Sequence, residues 1–133
     1  MSIEAKKSFQ ISQDSDYILK PDNEEEASII IKELYKKNLP AEIIGSGSKK
    51  FIGNKLQCAK KLDLSQLSGV IEYLPEELYI KVKACTPMGE IEEILKKNNQ
   101  QLAFEPIDFG YIDSSKSNKG TAAGYLSCNF SGS

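Results

Sequence analysis

The sequence contains no histidine in its 133 residues. Histidine is the usual general base near neutral pH, a frequent metal ligand and a member of the serine-hydrolase triad. Enzyme classes that depend on histidine are therefore excluded. Any chemistry must be carried by a bound cofactor, by carboxylates or tyrosines, or by a partner chain.

Cysteine is also scarce and irregularly placed. Cys58, Cys85 and Cys128 are odd in number, lie far apart in the sequence and form no Cys-x-x-Cys pair. A disulfide framework, or a zinc or iron–sulfur site built by this chain alone, is therefore not expected. We expect buried free thiols instead.

Long apolar runs and an excess of positive charge are missing as well. No run approaches the roughly 20 apolar residues of a membrane helix, and the N-terminal stretch lacks the apolar centre of a secretory signal. The 17 basic and 19 acidic residues leave a formal charge of -2, which gives no positive field for nucleic acid or an anionic membrane. We therefore expect a cytoplasmic protein with no nucleic-acid partner and no direct membrane insertion.

The first half of the chain predicts a strand–helix–strand unit behind a loose N-terminus. Residues 1–15 are polar without a clear period and predict a flexible arm. A strand is expected at residues 17–20, then a helix capped by Asp22 or Asn23, each with a glutamate three residues later. A buried strand at residues 41–44 completes the unit. The apolar stripe predicted for the helix comprises Ala27, Ile30, Ile31 and Leu34.

The second half predicts a further strand within residues 56–64, then a hairpin and a second helix. The hairpin strands are expected at residues 69–73 and 78–85. Thr86 is expected to cap the following helix, with Pro87 in its first turn. Period-two alternation places Leu78, Ile80, Val82 and Ala84 on one core face of the hairpin. Helical spacing places Met88, Ile91, Ile94 and Leu95 on one stripe.

A glycine- and serine-rich run, Gly-Ser-Gly-Ser-Lys at residues 45–49, follows the second predicted strand directly. We refer to it as the first glycine loop. Backbone amides in such a loop can converge on an anion such as phosphate, and the lysine adds positive charge. An ordinary turn fits the pattern as well. The run matches neither the Rossmann dinucleotide fingerprint nor the phosphate loop of nucleotide hydrolases.

A second cluster of small residues, Gly-Thr-Ala-Ala-Gly at residues 120–124, forms the second glycine loop. Small residues let a backbone lie against a ligand, and they also let two elements pack closely. Two such loops, separated by a hairpin and a helix, are able to hold one diphosphate from both sides.

Glu105 and Asp108 are a candidate carboxylate pair for acid–base chemistry. A capped turn beside Pro106 is the simpler interpretation, because aspartate commonly binds the backbone two residues later.

Six segments, taken in order, resemble a known family of flavin domains. The order from about Ile18 to Gly132 is similar to the vanillyl-alcohol oxidase or PCMH-type FAD-binding domain superfamily. Within it, the segments are most similar to the FAD-binding subunit of bacterial glycolate oxidases. The segments are IIGSGSK (43–49) with Gly53, LDLSQLSGVIEY (62–73), ACTPMGEIE (84–92), LAFEP (102–106), GTAAG (120–124) and CNFSG (128–132).

The resemblance implies an α+β fold with FAD between two subdomains. A small βαβ-containing subdomain would span about residues 16–68, followed by an incomplete, truncated second mixed-sheet subdomain at about 69–133. FAD would be held noncovalently, because a histidyl–flavin bond needs histidine. The implied cofactor-binding residues are Gly45, Ser46, Gly47, Ser48, Lys49, Pro106, Gly120, Thr121, Ala122, Ala123, Gly124, Asn129 and Gly132.

The resemblance also implies a function. It suggests the FAD-binding component of a 2-hydroxy-acid oxidoreductase resembling glycolate oxidase, in which a catalytic flavoprotein subunit and an iron–sulfur subunit are partners. Any membrane association would be made through those partners, and the isolated chain is not expected to be catalytically competent. The alternative is a truncated, non-catalytic fragment or interaction module that no longer binds FAD alone.

Overall fold

The computed structural model describes residues 11, 17–54, 58, 60–113 and 116–129. Of the predicted arm, only Ile11 lies among these residues, and its side chain is buried. None of the helices in the described part of the chain has the length and apolar character that crossing a bilayer requires.

The first half of the chain forms the predicted strand–helix–strand unit. Strand β1 covers Tyr17–Leu19, helix α1 covers Glu24–Lys36 and strand β2 covers Ala41–Ile44. Asn23, not Asp22, caps α1: its side chain accepts from the Glu26 N–H at 2.9 Å. Glu26 in turn accepts from the Asp22 N–H at 3.0 Å, so the cap satisfies two free amides at the start of the helix.

Strand β3, Lys60–Asp63, lies between β1 and β2 in a three-stranded parallel sheet. Leu62 pairs with Leu19 on one side and with Ile43 on the other. One face of this sheet packs against α1. The first core consists of Ile11, Leu19, Ile30, Leu34 and Leu62.

The second half begins with an antiparallel pair, β4 at Val70–Leu74 and β5 at Tyr79–Val82, joined by a 3-10 turn at Pro75–Glu77. Helix α2, Met88–Lys97, packs on this pair. Two short helices follow: α3 at Gly110–Asp113 and α4 at Ala122–Ser127. A second, separate core is centred on Met88, Ile91, Leu95 and Tyr125. The mixture of a parallel and an antiparallel sheet confirms the predicted α+β class.

Three details of the predicted patterns are wrong. Ile31 is 49% exposed, because the stripe that faces the sheet follows Ala27, Ile30 and Leu34. Leu78 is 82% exposed, because it occupies a left-handed position (φ 53°) after the 3-10 turn and has left the strand alternation. Ala84 is exposed too, since β5 ends at Val82.

Thr86 does not cap α2 as predicted. Pro87 is the N-cap residue and makes no side-chain cap bond, while Thr86 is fully buried. The Thr86 hydroxyl accepts from the Gly69 N–H at 3.0 Å and lies 2.8 Å from the Lys83 carbonyl oxygen, to which it donates. This residue therefore joins the start of β4 to the end of β5.

The three cysteines differ in environment. Cys85 is buried, Cys58 is half-buried and Cys128 is exposed. The expectation of buried thiols is therefore wrong for Cys128, which lies at the end of α4, where no core element covers it.

The adjacent isoleucines of α1 provide a test of the core assignment. Ile30→Ala should lower the free energy of unfolding by about 2–4 kcal/mol, because it removes a fully buried side chain from the first core. Ile31→Ala, the matched control at an exposed position, should change it by less than about 1 kcal/mol. Urea denaturation followed by circular dichroism measures both. Equal losses in the two variants would contradict the assignment.

Candidate functional site

The first glycine loop begins where β2 ends, at the carboxyl edge of the parallel sheet. Gly47 has a left-handed φ of 70°, and its carbonyl accepts from the Lys50 N–H at 3.3 Å, which closes a turn. The Leu64 N–H donates to the Ile44 carbonyl at 2.9 Å and extends the pairing with β3 up to the loop. This edge is where parallel α/β sheets generally bind ligands.

Three consecutive N–H groups of this loop have no internal acceptor. Within the described ranges of the chain, the amides of Ser46, Gly47 and Ser48 donate to no other group. Successive free amides in a glycine turn form a concave site with partial positive charge. The loop is therefore suited to an anion with several oxygen acceptors.

The second glycine loop is tied to the rest of the protein through its backbone. The Ala122 N–H donates to the Thr86 carbonyl at 2.9 Å, and the Ala123 N–H donates to the Ala84 carbonyl at 2.8 Å. Thr121 caps α4 by accepting from the Gly124 N–H at 3.3 Å. Because these N–H groups already donate to acceptors within the protein, this loop can contact a ligand through its surface but offers it few hydrogen-bond donors.

The two glycine loops lie directly against each other. A Cβ atom at Gly45 would be 3.1 Å from the Thr121 hydroxyl oxygen. A Cβ atom at Gly120, whose φ is 82°, would be 3.0 Å from the Ser48 hydroxyl oxygen. Any larger residue at Gly45 or Gly120 would force the neighbouring side chain of the opposite loop to shift, so glycine is what allows the two loops to come this close. The structure thus brings together two runs that are far apart in the sequence.

Lys49 lies at the junction of the two loops. Its ammonium nitrogen is 3.4 Å from the Ser48 hydroxyl oxygen and 5.0 Å from the centre of the Phe109 ring. A Cβ atom at Gly120 would lie 3.3 Å from the same nitrogen. The aromatic face attracts the cation and holds it beside the second glycine loop.

Two residues beneath the first glycine loop differ in charge. Burial raises the pKa of the Cys85 thiol, and the negative charge of Asp63 raises it further, so the thiol is neutral at pH 7. Burial acts to raise the pKa of Asp63, but hydrogen bonds from Ser65 and the Lys20 ammonium at 3.5 Å outweigh it and hold that pKa below its usual value. The sheet edge is thus neutral under Gly45 and anionic at the end of β3.

Pro106 lies in the wall of an open groove of about 440 Å³ and is buried. Two charged groups of the groove, Asp108 and Lys119, are engaged within the protein. Glu92 binds the Lys119 ammonium at 2.8 Å and raises the pKa of Lys119. The groove is lined by Glu105, Pro106, Ile107, Asp108, Tyr111, Ser117 and Lys119.

Asp108 acts as a loop clamp and does not form a carboxylate pair with Glu105. Its carboxylate accepts from Ser117 Oγ at 2.5 Å, from the Asn118 N–H at 2.8 Å and from the Gly110 N–H at 3.0 Å. The bond from Ser117 is the main cause of a lowered pKa, so Asp108 stays ionised. The interpretation as a capped turn is confirmed.

Sequence reasoning missed two residues near the site, Gly110 and Asn118. A Cβ atom at Gly110 would collide with the Lys116 carbonyl oxygen, so the clamp requires glycine there. Asn118 bonds both glycine loops. The Asp-x-Gly spacing signals the clamp locally, but no local pattern signals a contact between Asn118 and a loop 72 positions away.

The last two predicted site residues lie after α4. Asn129 is exposed, with a φ of 53°, and its N–H donates to the Leu126 carbonyl at 3.0 Å. Gly132 lies outside the described residues.

The described residues fit a diphosphate. Free amides of the first loop, the Lys49 ammonium and a glycine surface opposite them meet at one place. These are the groups with which proteins usually bind phosphates.

Comparison with known proteins agrees with this fit. A family model described as an FAD binding domain matches residues 15–132. The glycolate oxidase subunit GlcE of Escherichia coli (strain K12) is 32% identical over 93 residues, which cover 70% of this chain. The match spans 24% of that relative, so the chain corresponds to about a quarter of its length. The chain belongs to the FAD binding domain family of the PCMH type, and FAD is the cofactor of that family.

Proposed function

We propose that the chain binds FAD noncovalently through its two glycine loops and serves as the FAD-binding component of a 2-hydroxy-acid oxidoreductase resembling glycolate oxidase. The observation that carries the proposal is the contact between the loops, in which the Ser48 hydroxyl and the Lys49 ammonium of the first loop lie next to Gly120 of the second. The pyrophosphate would be held by the N–H groups of Ser46, Gly47 and Ser48, which have no acceptor among the described residues.

The roles of the individual residues follow from their contacts. The amides of the first loop donate to the phosphate oxygens, and the Lys49 ammonium neutralises part of their charge. Gly120, Thr121 and Gly124 leave room for the diphosphate because they present little or no side chain towards it. The remaining roles rest on the family resemblance: Pro106 would lie near the flavin, Ala122 and Ala123 would line the pyrophosphate and the ring, and Asn129 and Gly132 would belong to the stretch that runs along the cofactor.

Noncovalent binding is supported by the absence of histidine. Retention of the cofactor then depends on hydrogen bonds, the Lys49 charge and packing. FAD held by these residues would supply the redox chemistry of the complex, either hydride transfer with a 2-hydroxy acid or electron transfer onward.

The proposed partners are a catalytic flavoprotein subunit and an iron–sulfur subunit. Support comes from the similarity to GlcE of Escherichia coli, which is a subunit of a glycolate oxidase. We further propose that the chain is cytoplasmic and that any membrane association is made through these partners.

Retention of FAD by the purified chain tests the proposal directly. After incubation with excess FAD and gel filtration, the protein fraction should keep the visible absorbance of flavin. FMN should be retained less well, because it lacks the second phosphate and the adenosine. A colourless protein fraction after incubation with FAD would contradict the proposal that the two loops suffice.

Gly120 offers a sharper test with a matched control. Gly120→Ala should weaken FAD binding at least about tenfold, because the methyl group meets Ser48 and the left-handed backbone becomes strained. Gly53→Ala is the control: its φ of 86° carries the same strain, but nothing lies within 4 Å of the added Cβ. Fluorescence titration of FAD measures both affinities. Equal affinities in the two variants would argue against a close role for Gly120.

Lys49 and Lys50 separate the effect of a specific ammonium from that of net charge. Lys49→Met should weaken FAD binding about three- to tenfold, since it removes a partner of a diphosphate oxygen. Lys50→Met makes the same change in net charge at the exposed neighbouring position and should alter binding less than about twofold. Titration at two salt concentrations measures both. If both variants lost affinity equally, the role of Lys49 would reduce to general electrostatics.

A further inference from the structure

Asn118 makes three hydrogen bonds, and each joins it to a different part of the site. Its N–H donates to the Asp108 carboxylate at 2.8 Å. Its Oδ1 accepts from the Gly120 N–H at 3.1 Å, in the second glycine loop. Its Nδ2 donates to the Ser46 carbonyl at 3.3 Å, in the first. One side chain therefore spans the gap between the two loops.

The bond to Ser46 fixes the orientation of a peptide group. The carbonyl of Ser46 and the N–H of Gly47 belong to the same planar trans peptide, so they point in opposite directions. When the carbonyl is held by Asn118, the Gly47 N–H is turned away from Asn118, and it has no internal acceptor in the described part of the chain. A peptide next to a glycine rotates easily, because glycine tolerates both signs of φ.

We infer that Asn118 is a positioning residue for the cofactor cleft, which sets the separation of the two glycine loops and fixes the orientation of the peptide group between Ser46 and Gly47. The inference rests on the proposed function. Asn118 itself does not bind the cofactor; it acts through the backbone of residues 46, 47 and 120.

The Asp108 clamp gives Asn118 the rigidity that this role requires. Asp108 holds Gly110, Ser117 and Asn118 with three donors to one carboxylate. The carboxylate thereby holds Gly110, Ser117 and Asn118 close to Asp108, and this restrains the backbone from which the Asn118 side chain extends.

Asn118→Asp tests the role with almost no change in size. The new carboxylate still accepts from the Gly120 N–H, but it has no donor for the Ser46 carbonyl and repels its oxygen. We expect FAD binding about tenfold weaker than in the parent chain at pH 7, with an unchanged thermal unfolding midpoint. Asn98→Asp, at the exposed end of α2, is the control for the added charge and should bind FAD as the parent does.

The pH profile separates positioning from a purely structural role. Protonation of the introduced carboxyl restores a donor, so the deficit of Asn118→Asp relative to the parent should disappear as the pH falls through the titration of that group. The charged groups near it are the Asp108 carboxylate, the Lys119 ammonium paired with Glu92, and the Lys49 ammonium beside Gly120. A deficit that does not change with pH, or no deficit at all, would overturn the inference.

Amide exchange in the cofactor-free chain makes the result independent of the proposed function. The Lys50 and Ile52 amides, which bond the Gly47 and Lys49 carbonyls, should exchange faster in Asn118→Asp than in the parent or in Asn98→Asp. Identical exchange would overturn the inference even if FAD binds. If the parent chain fails to retain FAD, the proposed function fails, while the exchange rates still decide whether Asn118 holds the first loop in place.

Discussion

The close approach of Thr121 to Gly45 is the constraint on which the site depends. Thr121 is buried, caps α4 and lies where a side chain on either Gly45 or Gly124 would collide with its hydroxyl, at 3.1 Å in both cases. Gly45 directly follows β2 of the parallel sheet in the first half, and Thr121 is the N-cap residue of α4 in the second. The two cores are separate, so contacts of this kind determine how the two halves of the chain meet.

The two glycine loops have different physical characters. The second loop is stiff, because its amides donate to Thr86 and Ala84, and Thr86 is itself bonded to the hairpin. The first loop keeps its amides free and contains the left-handed Gly47. Free donors attract an anion only when they are held in place, since the alternative for each is a bond to water. The stiff loop and Asn118 therefore supply the order that the first loop cannot provide by itself.

The periodicity of the sequence predicted the main helices and strands, whereas close packing determined the positions of individual side chains. Helices α1 and α2, the strand–helix–strand unit and the hairpin follow from spacings of 3.6 and 2, which depend only on neighbouring residues, whereas the short helices α3 and α4 were not predicted. Leu78 and Thr86 deviate because a left-handed turn and a buried hydroxyl network override the local pattern. The meeting of the two glycine loops was anticipated from their pairing and from the family resemblance. The hydrogen bond from Asn118 to Ser46 was not anticipated, because it joins residues 72 positions apart and produces no periodic pattern in the sequence.

The charge of the chain requires that an anion be attracted locally. A net charge of -2 produces no attraction for a diphosphate at a distance, so the driving force must come from groups within a few ångströms. Backbone amides suit this purpose, because their dipoles are fixed by the fold and need no counterion. Lys49 adds one full charge, held by the Phe109 ring at the junction of the loops. The Lys119 charge is already balanced by Glu92, and Asp63 by Lys20. Selectivity in such a site arises from the geometry of the backbone, which explains why so much of the surrounding structure serves to hold two short loops in place.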